Sequence, residues 1–234
     1  MGLSPKKAFT LAETLITLGI IGVVAAITIP TLMTKIKNHQ IETVLKEDYS
    51  ILQQMMISAN EEGAISSIPK NNNMDLMRAW FETYMLPYIK VARVCYDEKG
   101  CWAETKKLNG VIQHSYSNYP GCGVKSIGMV LNNGSFVCLD DFGPDQMKSV
   151  FGIKTSVSKE VTLVFYIDTN GIKPPNVFGK DIYILGFKEE LGRLVPAGTD
   201  TTNAEQVKDC SKTGTGFFCL SLVKNRGWKL VDIK

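Results

Sequence analysis

Along the chain, hydrophobic positions first run together without a polar face. They then thin into a helical stripe, and finally break into short blocks and alternations. Residues 15–33 carry no charge and are mostly Leu, Ile, Val and Ala. That is about 19 residues, the length a helix needs to cross a hydrocarbon core of ~30 Å. Beyond Pro30 charges return while the helical period persists. Ile41, Leu45, Leu52, Met55 and Ala59 share a face, with Val44, Tyr49 and Met56 beside them, while Lys37, Glu42, Lys46, Glu47 and Gln53 fill most of the rest. One helix from Phe9 to about Asn60 is expected, roughly 75 Å long at 1.5 Å per residue. Its outer half needs a surface to pack on, and the C-terminal domain is the candidate. Glu61, Glu62 and Gly63 end the helix, and a polar loop runs through Asn71, Asn72 and Asn73.

The remainder predicts a short helix followed by strands. Residues 75–86 read as helix, with Leu76, Trp80, Phe81 and Met85 on the apolar side and Pro87 closing it. Residues 127–131 and 135–139 flank Asn132-Asn133-Gly134, a hairpin turn whose residues tolerate positive φ. The β-branched and aromatic run at 161–168 is the clearest strand, 181–187 the next, and 193–195 a short one. Residues 217–223 and 228–233 read as helix, then strand. Strands in series with short turns imply an antiparallel sheet, hence α+β with the long helix lying on the sheet.

Composition and charge add little. A net charge of +3, with no basic run interleaved with aromatics, gives no footprint for nucleic acid. The cysteines add more. Cys95, Cys101, Cys122, Cys138, Cys210 and Cys219 all lie C-terminal to the apolar run. None forms a C-x-x-C pair, and the two histidines, His39 and His114, are far from them in sequence, so a zinc site is not expected. Disulfides in an exported domain fit better. Six cysteines allow fifteen connectivities; locality favours Cys95–Cys101, Cys122–Cys138 and Cys210–Cys219 without excluding the others.

The N-terminus admits several readings. Val24-Ala25-Ala26 mimics a secretory cleavage site, but apolar residues continue past it. No cysteine follows the apolar run, against a lipoprotein signal. A plain anchor remains, with Lys6 and Lys7 holding the leader on the cytoplasmic side. A plain anchor is expected to gain nothing from Glu13, since an acidic residue at the centre of an inserting helix costs ~2.5–3.5 kcal/mol, and such residues usually have a partner. A cut between Ala8 and Phe9 would create an amine four residues before Glu13, largely protonated at neutral pH. In stacked helices that amine and a neighbour's carboxylate would offset each other's burial.

The stretch Lys7-Ala8-Phe9-Thr10-Leu11-Ala12-Glu13, with the apolar run behind it, resembles the cleavage and methylation signature of type IV pilins and type II secretion pseudopilins. The resemblance implies a pilin-like fold, cleavage before Phe9 by prepilin peptidase, N-methylation of Phe9, and Glu13 setting register between subunits. The family usually places glycine before the scissile bond; Ala8 stands there here, which predicts slower or altered processing. Gly22 and Ala26 form a small-xxx-small spacing that lets another helix approach. Pro30 removes a helical donor and should kink or loosen the helix; related pilins carry a proline at similar depth. Phe9, Thr10, Glu13, Gly22, Ala26 and Pro30 are the expected assembly residues.

Other chemistry is sparse. Asp168-x-Asn170-Gly171 resembles the start of a calcium loop, and Asp181 would have to fold back to complete it. Turn punctuation by Gly171, Pro174, Pro175 and Gly179 explains the segment at least as well, and no metal or cofactor is expected. No H-E-x-x-H, P-loop, G-x-S-x-G or G-x-G-x-x-G opening a helix is present, and Thr213-Gly214-Thr215-Gly216 is too short and badly placed for phosphate. Asp140-Asp141 reads as a solvated turn rather than an acid–base pair. The organisation expected is a leader at 1–8, a membrane or filament-core half-helix at 9–33, an amphipathic half at 34–62 and an extracytoplasmic globular domain at 63–234. The function expected is a non-enzymatic filament subunit, held in the inner membrane by a single pass before assembly. Its expected partners are prepilin peptidase and other pilin or pseudopilin subunits. A membrane-tethered binding module or enzyme is the alternative.

Overall fold

The computed structural model describes residues 10–69, 73–117, 121–123, 126–156, 160–230 and 233. They divide into two compact units, Met1–Gln40 and Ile41–Lys234. Helix α1, Leu11–Glu61, supplies the regular structure of the first unit, and its residues from Ile41 onward belong to the second.

In the first unit the apolar side chains are uncovered on every side: Leu15 and Ile16 are each 62% exposed, Leu18 66% and Ile27 67%. This helix, alone among the described residues, is long and apolar enough to cross a membrane. Its threonine hydroxyls turn back onto the helix's own carbonyls, Thr14 to Leu11, Thr28 to Val24 and Thr34 to Pro30 at 2.8–2.9 Å. Such internal satisfaction suits an apolar solvent. The helix stays continuous through Pro30, although the missing proline N–H deprives the Ala26 carbonyl of its usual donor.

The second unit is α+β. Its main sheet has six strands in the order β1-β4-β5-β6-β7-β8, every neighbouring pair antiparallel. They are β1 (Val91–Tyr96), β4 (Ile127–Leu131), β5 (Phe136–Phe142), β6 (Thr162–Asp168), β7 (Ile182–Lys188) and β8 (Arg193–Pro196). A second ribbon joins β2 (Thr105–Lys106) to β3 (Ile112–His114). Helices α2 (Met74–Tyr84), α3 (Pro144–Ser149), α4 (Asn203–Asp209) and α5 (Cys219–Asn225) complete it.

Strand alternation sends side chains to two cores. Val137, Leu139, Phe165 and Leu185 face Leu45, Leu52, Met55 and Met56 of α1 and Trp80 and Phe81 of α2. Cys138, Val164 and Ile184 face Met147 of α3 with Phe151, Phe178 and Phe217. The stripe expected on α1 is therefore buried as expected, with one addition: Asp48 lies in it at 0% exposure. Gln53 covers the β8 edge, accepting from the Leu194 amide at 3.2 Å and donating to the Leu194 carbonyl. That amide does for an edge strand what a further strand would do.

The Asn132-Asn133-Gly134 turn joins β4 to β5, with Gly134 at φ +90°, a conformation glycine adopts without a Cβ penalty. Three expectations need correction. Leu76 is exposed and Met77 takes its place in the α2 core, a rotation of one position around the helix. Residues 228–230 form no strand. Trp228 packs edge-on against Tyr49 at 4.9 Å, and Glu42 accepts from the Leu230 amide at 3.0 Å, so the segment ties to α1 instead; residues 231, 232 and 234 lie outside the described residues. Asp140 and Asp141 belong to β5, half-buried, rather than to a solvated turn. The unpredicted β1, α3 and α4 are short or irregular: β1 is an edge strand whose register shifts between Val91 and Arg93.

Candidate functional sites

Two places in the chain carry chemistry, one in each unit. In the first unit, Ala8 and Phe9 lie outside the described residues. Thr10 and Glu13 are joined by a reciprocal capping box. The Thr10 amide and hydroxyl donate to Glu13 Oε2 at 2.9 and 3.0 Å, and the Glu13 amide donates to Thr10 Oγ1 at 3.2 Å. A plain anchor therefore does gain something from Glu13, namely a capped first turn; the pattern Thr-x-x-Glu ahead of an apolar run was the signal for it. Both bonds fall on Oε2, so Oε1 keeps its lone pairs for a further donor. A Cβ added at Gly22 would meet open space, so the small-residue surface there is uncovered.

The six cysteines pair as Cys95–Cys101, Cys122–Cys138 and Cys210–Cys219, with Cα separations of 5.8, 5.9 and 5.0 Å, the local pairing that sequence proximity favours. Cys122–Cys138 pins a loop onto β5 and forms one wall of a cleft of about 460 Å³ on the sheet's second face. Ribbon β2–β3 supplies Thr105 and His114, β5 supplies Asp140 and Asp141, and β6 supplies Tyr166. Loop residues Trp102 and Phe178 close it, their rings 6.4 and 6.0 Å from Tyr166.

The cleft's electrostatics follow from burial. Asp140 Oδ1 accepts the Asp141 amide at 2.9 Å. Burial first, then the charge of Asp141, push the Asp140 carboxyl up to about 7; burial also raises Asp141. The Tyr166 phenol is pushed up by burial and by Asp140 beside it. Burial lowers the His114 imidazole, against the attraction of Glu104. Among the described residues lining the cleft none is Lys or Arg. Thr105 is 1% exposed and its Oγ1 has no hydrogen-bond partner among the described residues. Sequence reading missed this site because its residues come from separate segments; only Asp140-Asp141 stood out.

The loop at 168–181 uses its acids on itself. The Asp181 carboxylate accepts the amides of Asn176 and Val177 at 2.9 and 2.7 Å and the side-chain amide of Asn170 at 3.2 Å. Asp168 Oδ1 accepts the Asn170 amide at 3.2 Å. Burial, then the Asp181 carboxylate, hold Asp168 well above the usual carboxylate range. This geometry is a turn built around a carboxylate, and among the described residues no cluster of three or more His, Cys, Asp or Glu is arranged to hold a metal.

Nothing matches this chain among protein-family models, curated proteins or solved structures. The N-terminal resemblance accordingly rests on the residues that carry it.

Proposed function

We propose that the chain is a structural filament subunit of the pilin or pseudopilin class, with a pilin-like fold. It is cut by prepilin peptidase between Ala8 and Phe9, methylated on Phe9, and assembled from the inner membrane through α1 with its second unit outside the cytoplasm. One observation carries the reading. An acid stands at the third position of an apolar helix whose side chains are uncovered all round, directly behind the Lys-Ala-Phe-Thr junction. Lipid can solvate such a helix before assembly and neighbouring copies can solvate it afterwards, with Glu13 Oε1 open to a neighbour's amine. Gly22 and Ala26 allow close approach between helices. The three disulfides suit an oxidising compartment. The tethered binding module keeps a claim through the cleft on the second unit, which a purely structural subunit does not require.

N-terminal mass spectrometry of protein extracted from membranes tests the reading. The expected species begins at Phe9 and carries one extra methyl group, and Ala8→Gly quickens its appearance. An intact Met1, or a start near Ala26, would sink it.

A further inference from the structure

The cleft beside the Cys122–Cys138 bridge is a built pocket whose chemistry is one-sided. Its polar lining includes Asp140, which strand alternation places on the same face of β5 as Cys138, and its walls include Trp102, Tyr166 and Phe178. A half-buried carboxylate with no Lys or Arg among the described cleft-lining residues is incompletely solvated, and an entering cation offsets that cost. Aromatic rings present quadrupoles that attract the same charge. Thr105 gives a second, independent sign: the residue lines the cleft, is 1% exposed, and its hydroxyl has no hydrogen-bond partner among the described residues, so its oxygen is open to a donor. The volume, about 460 Å³, lies within the range of small-ligand sites.

We propose that this cleft binds an organic cation, an ammonium or guanidinium group, which sits between the Asp140 carboxylate and the aromatic walls and donates to Thr105 Oγ1. The group can come from a free amine or from a lysine or arginine side chain of another polypeptide. The proposal goes beyond filament assembly, and its test uses unassembled protein.

The titratable groups that line the cleft with Asp140 are Asp141 next to it on β5, Tyr166 on β6 and His114 on β3. As the pH falls through about 7, Asp140 takes up a proton and the site loses its charge. Binding is therefore expected to strengthen from pH 6 to pH 8.

The experiment is calorimetric titration of the full chain in nonionic micelles, paired with the indole resonance of Trp102. The probes are the blocked tripeptides Gly-Arg-Gly and Gly-Lys-Gly, agmatine as a free cation, and blocked Gly-citrulline-Gly as the neutral isostere. At pH 8 at least one cationic probe is expected to bind about tenfold or more tightly than the citrulline peptide and to shift the Trp102 signal. Asp140→Asn removes that preference while the disulfides persist and the unfolding midpoint does not fall. Thr105→Val, which keeps the shape and removes the hydroxyl, weakens binding several-fold and serves if Asp140→Asn misfolds. Preference for the peptides over agmatine assigns the cation to a polypeptide side chain; the reverse assigns a free amine. Equal binding of the citrulline peptide, no cationic probe binding at millimolar concentration, or unchanged binding by a folded Asp140→Asn protein would each overturn the proposal.

Discussion

At the scale of single residues, Glu13 carries two roles that one substitution can separate. In the capping box it accepts from the Thr10 amide and hydroxyl, a cap that Ala in its place would remove. In a filament it would also meet a neighbour's amine, and removing its charge would leave that amine without a partner. Gln can still accept at that position but carries no charge. Under the filament reading Glu13→Gln and Glu13→Ala both insert into the membrane, and both reduce sheared filaments by about tenfold or more. Immunoblots of the sheared fraction against total membrane protein measure this. Wild-type filament yield from Glu13→Gln would leave only the cap, and with it an anchor.

At the scale of elements, α1 shows what periodicity reveals and what it hides. The stripe of Ile41, Leu45, Leu52, Met55 and Ala59 was legible because burial on a helix repeats every 3.6 residues. The β4–β5 hairpin was legible because Asn-Asn-Gly permits positive φ. Asp48 was not, since an acid on a helix ordinarily points to water. Here its Oδ1 accepts from Asn133 in the hairpin turn at 2.7 Å, while Oδ2 completes no bond among the described residues. Ser135, though near enough to favour the ionised form, leaves its own Oγ unpaired. Helix α4 announced itself only through Thr202-x-x-Glu205, a capping box too short to show a period. The cleft was invisible because sheet topology, not sequence proximity, gathers it. Asp48 makes the consequence measurable. Burial raises its carboxyl from 3.8 to about 6, against the weaker opposing pull of Asn133 and Ser135, with Glu47 adding to the rise. A group raised on folding contributes stability that is complete below the unfolded value and is lost as pH climbs through the folded one. Asp48→Asn should therefore stabilise the protein by about 2–3 kcal/mol at pH 7.5 and by little near pH 4. Urea midpoints at the two pH values check this; an equal gain at both would show that the carboxylate's charge is not what costs stability.

At the scale of the whole molecule, the disulfides couple the stability of the second unit to where it resides. All three bridges lie within Ile41–Lys234 and close short loops, with sequence separations of 6, 16 and 9. Chain entropy assigns loops of that size about 2–3 kcal/mol each, comparable in sum with the net stability of a typical domain, about 5–15 kcal/mol. In a reducing cytosol that contribution would be absent; outside it, it is permanent. The bridges also differ in what they hold. Cys138 sits in the second core and Cys122 in the cleft wall, so Cys122–Cys138 braces both the sheet and the cleft. Cys95–Cys101 instead ties edge strand β1 to the turn that follows it. Non-reducing peptide mapping of protein taken from its native compartment should recover these three pairs and no free thiol. Replacing Cys122 and Cys138 together by Ser should lower the urea midpoint more than replacing Cys95 and Cys101, although entropy alone separates the two by less than about 1 kcal/mol. Six free thiols would overturn the proposed placement of this unit outside the cytoplasm, and a difference between the two double replacements no larger than about 1 kcal/mol would show that the middle bridge acts through loop closure alone.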